Sequence, residues 1–199
     1  MMNAERRIGA RLRVVEMEGW RRGARFAATG LPWVAPSPNI PAPDTCLLFP
    51  GFVLIEATNL SEGRGTTRPF GLIGAPWMDG RKAAAQLNRL GLEGVIFRAA
   101  EFRPCDSKHR GKDCRGVEVH VTDPKRFRAP LAAAALIATV RRLHPDELQI
   151  DAASFDRLAG TAALREAVLR GDSPEKIAAS WTEGLEEYAK RREKYLLYR

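Results

Sequence analysis

The segment from Glu56 to Thr67 reads Glu-Ala-Thr-Asn-Leu-Ser-Glu-Gly-Arg-Gly-Thr-Thr, and it gathers two carboxylates, a guanidinium, an amide and four hydroxyls into twelve positions. Gly63 and Gly65 interrupt it, and a residue without a Cβ lets the backbone come close to a ligand. Many donors and acceptors on a bent backbone are what sugar hydroxyls call for. A purely structural reading competes: Glu62 and Arg64 form a surface ion pair worth little, while Asn59 and Ser61 cap local turns. Spacing alone does not separate the two. A phosphate cradle does not fit, because the glycines match neither GxxxxGK[ST] nor GxGxxG. A second polar turn, Ser37-Pro38-Asn39, sits in a run with prolines at 32, 36, 38, 41 and 43.

Those segments need elements to hold them. Arg11 to Met17 alternates enough to predict a strand, with Leu12, Val14 and Val15 as its apolar members. Five prolines between Leu31 and Pro43 exclude a helix there, and so long a connection points to a functional loop. Pro50-Gly51 predicts a turn, and Phe52 to Asn59 a short helix or strand. Strands are predicted at Phe70 to Trp77, Gly94 to Phe102 and around Val117 to Val121, the last with Glu118 and His120 on a solvated face. Helices are predicted at Asp79 to Leu90, Leu131 to Leu143, Thr161 to Leu169, Ser173 to Ser180 and Thr182 to Tyr195. Together these give an α+β or mixed α/β fold: a small sheet covered by helices, with a helical C-terminal third.

The chain has 199 residues, 45% hydrophobic and 28% charged, which suits one globular domain spanning 1–199. Its net charge of +8 is dispersed, with no nucleic-acid module, so a solvated basic surface is expected and nucleic acid is not. No apolar run approaches the roughly 20 residues of a membrane span. The N-terminus has no apolar stretch after Arg6 and Arg7, so the chain as written is expected in the cytoplasm. Cys46, Cys105 and Cys114 make no CxxC pair, and neither a metal nor another cofactor is expected. Cys105 and Cys114 could be bridged in an oxidising compartment, and Cys46 reads as a buried inert thiol. Lys108 and His109, between the other two cysteines, read as solvated.

The runs GLPWVAPSPNIPAPDT, EATNLSEGRGTTRPF, IGAPW, SKHRGKDCRGVEVHVTD, FDRLAGT and the terminal KYLLY resemble, in order and spacing, blocks of the exo-β-N-acetylmuramidase family of glycoside hydrolases. The resemblance runs from about Leu12 to the end. It implies a two-domain family in which a Rossmann-like N-terminal half precedes the half seen here, with the site in the cleft between. Members release N-acetylmuramic acid from peptidoglycan fragments, and relatives are often exported. The acidic PEHG-type motif of the N-terminal half does not occur in this sequence. Since glycoside hydrolysis ordinarily takes two carboxylates in separate roles, the chain alone is expected to be incomplete.

Carried over through the matching block, the resemblance implies Glu62, then Glu56, as catalytic carboxylates. Substrate contacts are implied for Ser37, Asn39, Asn59, Ser61, Arg64, Thr66, Thr67 and His120. Arg64 would grip the lactyl carboxylate of muramic acid through its planar fork. The family usually has glycine where this chain has Ala57. The implied partners are a peptidoglycan-derived sugar and a separately encoded N-terminal half. The alternatives are a muramic-acid-binding module that does not cleave, or a truncated remnant.

Overall fold

A computed structural model describes residues 1–198, which fall into two compact units, Val34–Ala178 and Met1–Trp33 with Ala179–Arg199. The larger unit is built on a three-stranded antiparallel sheet of β1 (Leu72–Ala75), β2 (Val95–Phe102) and β3 (Cys114–Val121), with β3 in the middle. Its apolar face carries Ile73, Ala75, Val95, Phe97, Val117 and Val119, all buried. A helix, α3 (Gly80–Arg89), packs on β2 and β3; its N-terminus is capped by the Asp79 carboxylate, which accepts from the Lys82 N–H at 3.0 Å. Gly80 has to be glycine, because a Cβ there would stand 2.1 Å from the Gly116 carbonyl oxygen.

Both sheet edges are covered. On the β2 side, Asn88 of α3 donates to the Phe97 carbonyl and accepts from the Phe97 N–H, at 2.7 and 2.9 Å. On the β1 side, Ser61 and Gly74 exchange two backbone hydrogen bonds, at 2.8 and 3.2 Å, so the Glu56–Thr67 segment begins its turn already tied to the sheet.

Helix α2 (Thr45–Phe52) corrects the turn predicted at Pro50-Gly51. An interior proline ordinarily costs a helix about 3 kcal/mol. Here Leu48 and Phe52 are buried, and α2 lies so close to the long helix α4 (Ala129–Leu143) that a Cβ on Gly51 would meet the Ala129 backbone at 2.1 Å. Packing of that tightness offsets the lost bond. A 3-10 helix (Val53–Ala57) follows, which settles the choice left open for Phe52 to Asn59. The unpredicted α5 (Ala152–Ala159) packs on that turn, capped by Asp151 and anchored by a fully buried Phe155. Helix α6 (Ala163–Arg170) ends at left-handed Gly171, and α7 (Pro174–Ser180) follows.

In the smaller unit, α1 (Met2–Glu5) and α8 (Thr182–Glu193) are helical. Arg11 to Met17, predicted as a strand, has no strand partner and no regular structure. Two further expectations are corrected. Cys46 is exposed and Glu118 is buried, so β3 has no solvated face at its centre. All three cysteines are free thiols. Among the described residues no helix is long and apolar enough to cross a membrane, and no three His, Cys, Asp or Glu side chains group as metal ligands.

Candidate functional site

The acidic segment leaves the 3-10 helix at Ala57 and is pinned at Thr58 and Asn59. The Asn59 amide donates to the Glu147 carbonyl and accepts from the Gln149 N–H, at 2.8 and 3.0 Å, which ties its side chain to the scaffold. Ser61, 1% exposed, accepts through its hydroxyl from the Gly63 N–H at 3.1 Å. Thr66 donates to the Gly63 carbonyl and accepts from the Arg68 N–H. These bonds close a tight turn that only glycine allows: Gly63 has φ +80°, and a Cβ there would stand 2.6 Å from the Leu72 carbonyl oxygen. Thr67 is exposed and makes no hydrogen bond.

The turn brings Glu62 inside. Its side chain is 2% exposed, and its two oxygens face Arg64 Nε at 3.1 Å and Lys108 Nζ at 3.0 Å. Arg64 also donates through Nη2 to Glu56, and its guanidinium lies over the Phe70 ring, 5.6 Å from the centroid. Glu56, Arg64 and Lys108 are each about one-third exposed and reach the surface, and only Glu62 is fully buried. Glu62 stands behind them.

Lys108 was read from sequence as solvated, and the structure corrects this. Its ammonium donates to the carbonyls of Ile55, Glu56 and Leu60 at 3.0, 3.1 and 3.0 Å. Three donors are all an ammonium has. The contact with Glu62 is therefore an ion pair without hydrogen-bond alignment, which is why Glu62 Oε2 has a cation beside it yet no hydrogen-bond donor. His109 is likewise no solvated residue, since Nε2 sits 2.8 Å from the Asn59 carbonyl oxygen. The loop achieves this with Ser107 and His109 both at positive φ, +63° and +58°, a conformation that costs on the order of 1 kcal/mol or more per residue. Arg103 and Asp113 clamp its base with two bonds of 2.7 and 2.8 Å. Its approach to the acidic turn is close enough that a Cβ on Gly65 would meet Asp106 N at 2.3 Å.

Ser37 and Asn39 form their own turn, with the Ser37 hydroxyl accepting from the Asn39 N–H at 3.2 Å, and no hydrogen bond or ion pair joins them to Glu56, Glu62 or Arg64. The end of the proline loop does meet the acidic block. Pro41, Ala42 and Asp44 line a concavity of about 120 Å³ with Thr67 and Arg68.

A second buried carboxylate lies on the polar face of the sheet. Glu118 is surrounded by Arg98 Nη2 at 2.6 Å, Arg68 Nε at 3.2 Å and His120 Nε2 at 3.2 Å. Burial pushes its carboxyl up, but the Arg98 hydrogen bond and the charges of His120, Arg68 and Arg98 outweigh that and hold it below the ordinary glutamate range. His120, expected from the resemblance as a substrate contact, has its Nε2 3.2 Å from the Glu118 carboxylate and is about one-third exposed.

Comparison with known proteins divides the chain by sequence near residue 45. Residues 47–198 match the family described as exo-beta-N-acetylmuramidase NamZ, C-terminal, and residues 1–44 match its N-terminal companion. The peptidoglycan beta-N-acetylmuramidase NamZ of Bacillus subtilis is 44% identical over all 199 residues, which correspond to 48% of its own length. The crystal structure of a DUF1343 family protein from Bacteroides fragilis superposes with a TM-score of 0.89 at 29% identity, over 100% of this chain and 54% of that one. A second DUF1343 protein from that organism gives 0.64 at 28%, over 83% of this chain and 44% of that one. The chain spans about half the length of the curated relative it matches. With the glycine-bent Glu56–Thr67 turn lying wholly inside the larger of the two matched stretches, the chain belongs to the exo-β-N-acetylmuramidase NamZ family.

Proposed function

We propose that this chain supplies one wall of a muramidase site that cleaves muramic acid from peptidoglycan-derived sugars, and that an N-terminal half supplies the rest. The observation that carries the reading is the Glu56–Arg64–Glu62–Lys108 group, in which two carboxylates and two cations interlock on a turn of the family's own sequence. The arrangement divides the labour. Glu56 is the carboxylate a substrate can reach, and Arg64 presents a cation beside it. Glu62, foreseen as the leading catalytic carboxylate, is placed to hold Arg64 and Lys108 in position. Thr67 is the exposed hydroxyl of the same turn, and His120 lines the polar sheet face.

In this reading Glu56 performs one of the two tasks of glycoside hydrolysis, and the complementary carboxylate comes from the N-terminal half. Ser37, Asn59, Ser61 and Thr66 act by shaping the loops, because their side-chain polar atoms bond to the backbone, whereas Asn39 joins the Ser37 turn through its backbone N–H and keeps its side-chain amide for a substrate. The lactyl carboxylate of muramic acid would meet Arg64 from the solvent side.

The test is release of the aglycone from a chromogenic N-acetylmuramide by this chain co-expressed with the N-terminal half of the Bacillus subtilis relative. Glu56→Gln is expected to lower release by about 100-fold or more while leaving the urea midpoint within experimental error. Undiminished release by the stable variant would overturn the assignment. Binding of the sugar without release by the unaltered pair would leave a binding module in its place.

A further inference from the structure

We infer that Arg68, with the hydroxyls of Thr45 and Thr67, is a seat for the carboxylate of a small ligand, separate from Arg64. The seat does not depend on the proposed muramidase activity, although a muramic acid sugar is one carrier of such a group.

The two arginines are used differently. Arg64 donates to Glu56 and faces Glu62 at 3.1 Å, so two acids already occupy its fork. The Arg68 side chain makes no hydrogen bond. Its Nε is buried 3.2 Å from Glu118 Oε1 without bonding geometry, and its Nη2 stands 3.9 Å from Asp44 Oδ2, beyond hydrogen-bond reach. Arginines that serve a structural acid look different in this protein. Arg103 meets Asp113 with bonds of 2.7 and 2.8 Å, and Arg165 meets Asp156 at 2.8 and 2.9 Å. Glu118, for its part, already takes a hydrogen bond of 2.6 Å from Arg98. A planar fork whose five donors are all unused is matched by a carboxylate or another planar acceptor.

The surroundings fit that ligand. Arg68, Thr45 and Thr67 line the concavity of about 120 Å³, together with Pro41, Leu48 and Gly71. Thr45 is only 5% exposed and its hydroxyl makes no hydrogen bond, so a polar side chain sits buried in the wall without a partner in the protein. A Cβ on Gly71 would stand 3.3 Å from Arg68 Nε and 3.4 Å from Leu48 Cδ1, so its absence keeps the floor open. Pro41 and Leu48 give apolar walls for a short carbon substituent. The N–H groups that open α2 take no part, because Thr45, Cys46 and Leu47 donate to the carbonyls of Ala42, Pro43 and Asp44. Charge limits the ligand to a monoanion. Arg68 and Arg98 stand against Glu118 and Asp44, and Asp44 is 60% exposed without a capping bond, free to turn to water. Once it has turned, one positive charge remains for one carboxylate; a doubly charged phosphate is left in excess.

The experiment is amide NMR on the isotopically labelled chain, titrated separately with N-acetylmuramic acid, lactate and N-acetylglucosamine. The two carboxylates are expected to shift the Thr45, Thr67 and Gly71 amides and the Arg68 Nε–H signal, with half-saturation at about 1 to 10 mM. N-acetylglucosamine, which has no carboxylate, should leave them in place. Saturation about tenfold lower for N-acetylmuramic acid than for lactate assigns the seat to a sugar acid, and equal saturation assigns it to free small carboxylates; both uphold it. Arg68→Gln and Thr45→Val are each expected to weaken binding about fivefold or more, and Asp44→Asn, which removes the competing acid, to tighten it about threefold. Thr45→Val keeps the β-branch and the apolar packing, so it tests the seat independently of any effect of Arg68→Gln on Glu118. No shift at these residues up to about 50 mM, equal shifts with N-acetylglucosamine, shifts centred on Glu56 and Arg64 instead, or unchanged binding by both folded variants would each overturn the inference. Binding at Arg68 without muramide release counts against the proposed activity alone, and release without these shifts counts against the seat alone.

Discussion

The loop pair around Glu62 and the segment around Val14 meet the same requirement, that backbone polar groups find partners, in opposite ways. In the first, a lysine ammonium takes three carbonyls, an arginine bridges two carboxylates, and residues at positive φ are tolerated to bring the loops together. In the second, six consecutive residues satisfy nothing within the chain and leave their apolar side chains in water. A region that closes its own hydrogen bonds carries its geometry with it. One that does not leaves its amides and carbonyls to water.

The largest effect that would break this contrast is expected at Lys108. Lys108→Met keeps the length of the side chain and removes the charge, leaving three carbonyls without their donor and Glu62 buried beside one cation instead of two. Removing one partner of a buried pair costs several kcal/mol, and because Lys108 is partly exposed we expect about 3 kcal/mol in urea unfolding, at the lower end of that range. Lys108→Arg should recover only part of it, since a planar fork cannot point at three carbonyls as an ammonium does. A loss below about 0.5 kcal/mol for the Met variant would place the loop pair among surface contacts of little weight.

That Lys108 needed the structure to be noticed shows where sequence reading stops. The sheet, the Asp79-capped helix and the helical C-terminal third were legible, because strand and helix periodicities and caps are local signals. The acidic turn was legible as a candidate because its residue types are unusual in combination. What was hidden is long-range. Lys108 lies more than forty residues from the carbonyls it holds, Pro50 sits in a helix only because Gly51 lets α2 press on Ala129, and Glu118 is buried only because Arg68 and Arg98 cover it. Arg11 to Met17 is the converse: its alternation is that of a strand, and the structure assigns it none, because no strand among the described residues lies beside it.

A smaller effect tests whether the polar sheet face is also self-contained. The Glu118 carboxyl is held below its ordinary value of 4.5, so the folded state binds its proton less readily than the unfolded chain does. The stability this contributes is fully present above pH 4.5 and is lost as the pH falls below that and through the lower, folded-state pKa. Glu118→Gln should cost on the order of 1 kcal/mol near neutrality, discounted because Arg98 is mostly exposed, and should flatten the acid limb of the stability curve. Urea midpoints of both proteins from about pH 7 to about pH 3 make the comparison. Parallel curves would show that Glu118 is no better held than an ordinary surface acid.

The smallest effect, expected at Val15, is the sharpest discriminator when it is set against the same chemical change at a buried strand position. Val119 is fully buried on the central strand, and Val119→Thr puts a hydroxyl among apolar side chains, at a cost of about 1 to 3 kcal/mol. Val15 is 83% exposed, and Val15→Thr in the chain alone should shift the urea midpoint by no more than about 0.5 kcal/mol. Threonine keeps the β-branch, so strand propensity is preserved and only apolar contact is lost. If Val15→Thr instead costs as much as Val119→Thr, the N-terminal segment is packed within this chain, and the contrast between the two regions fails.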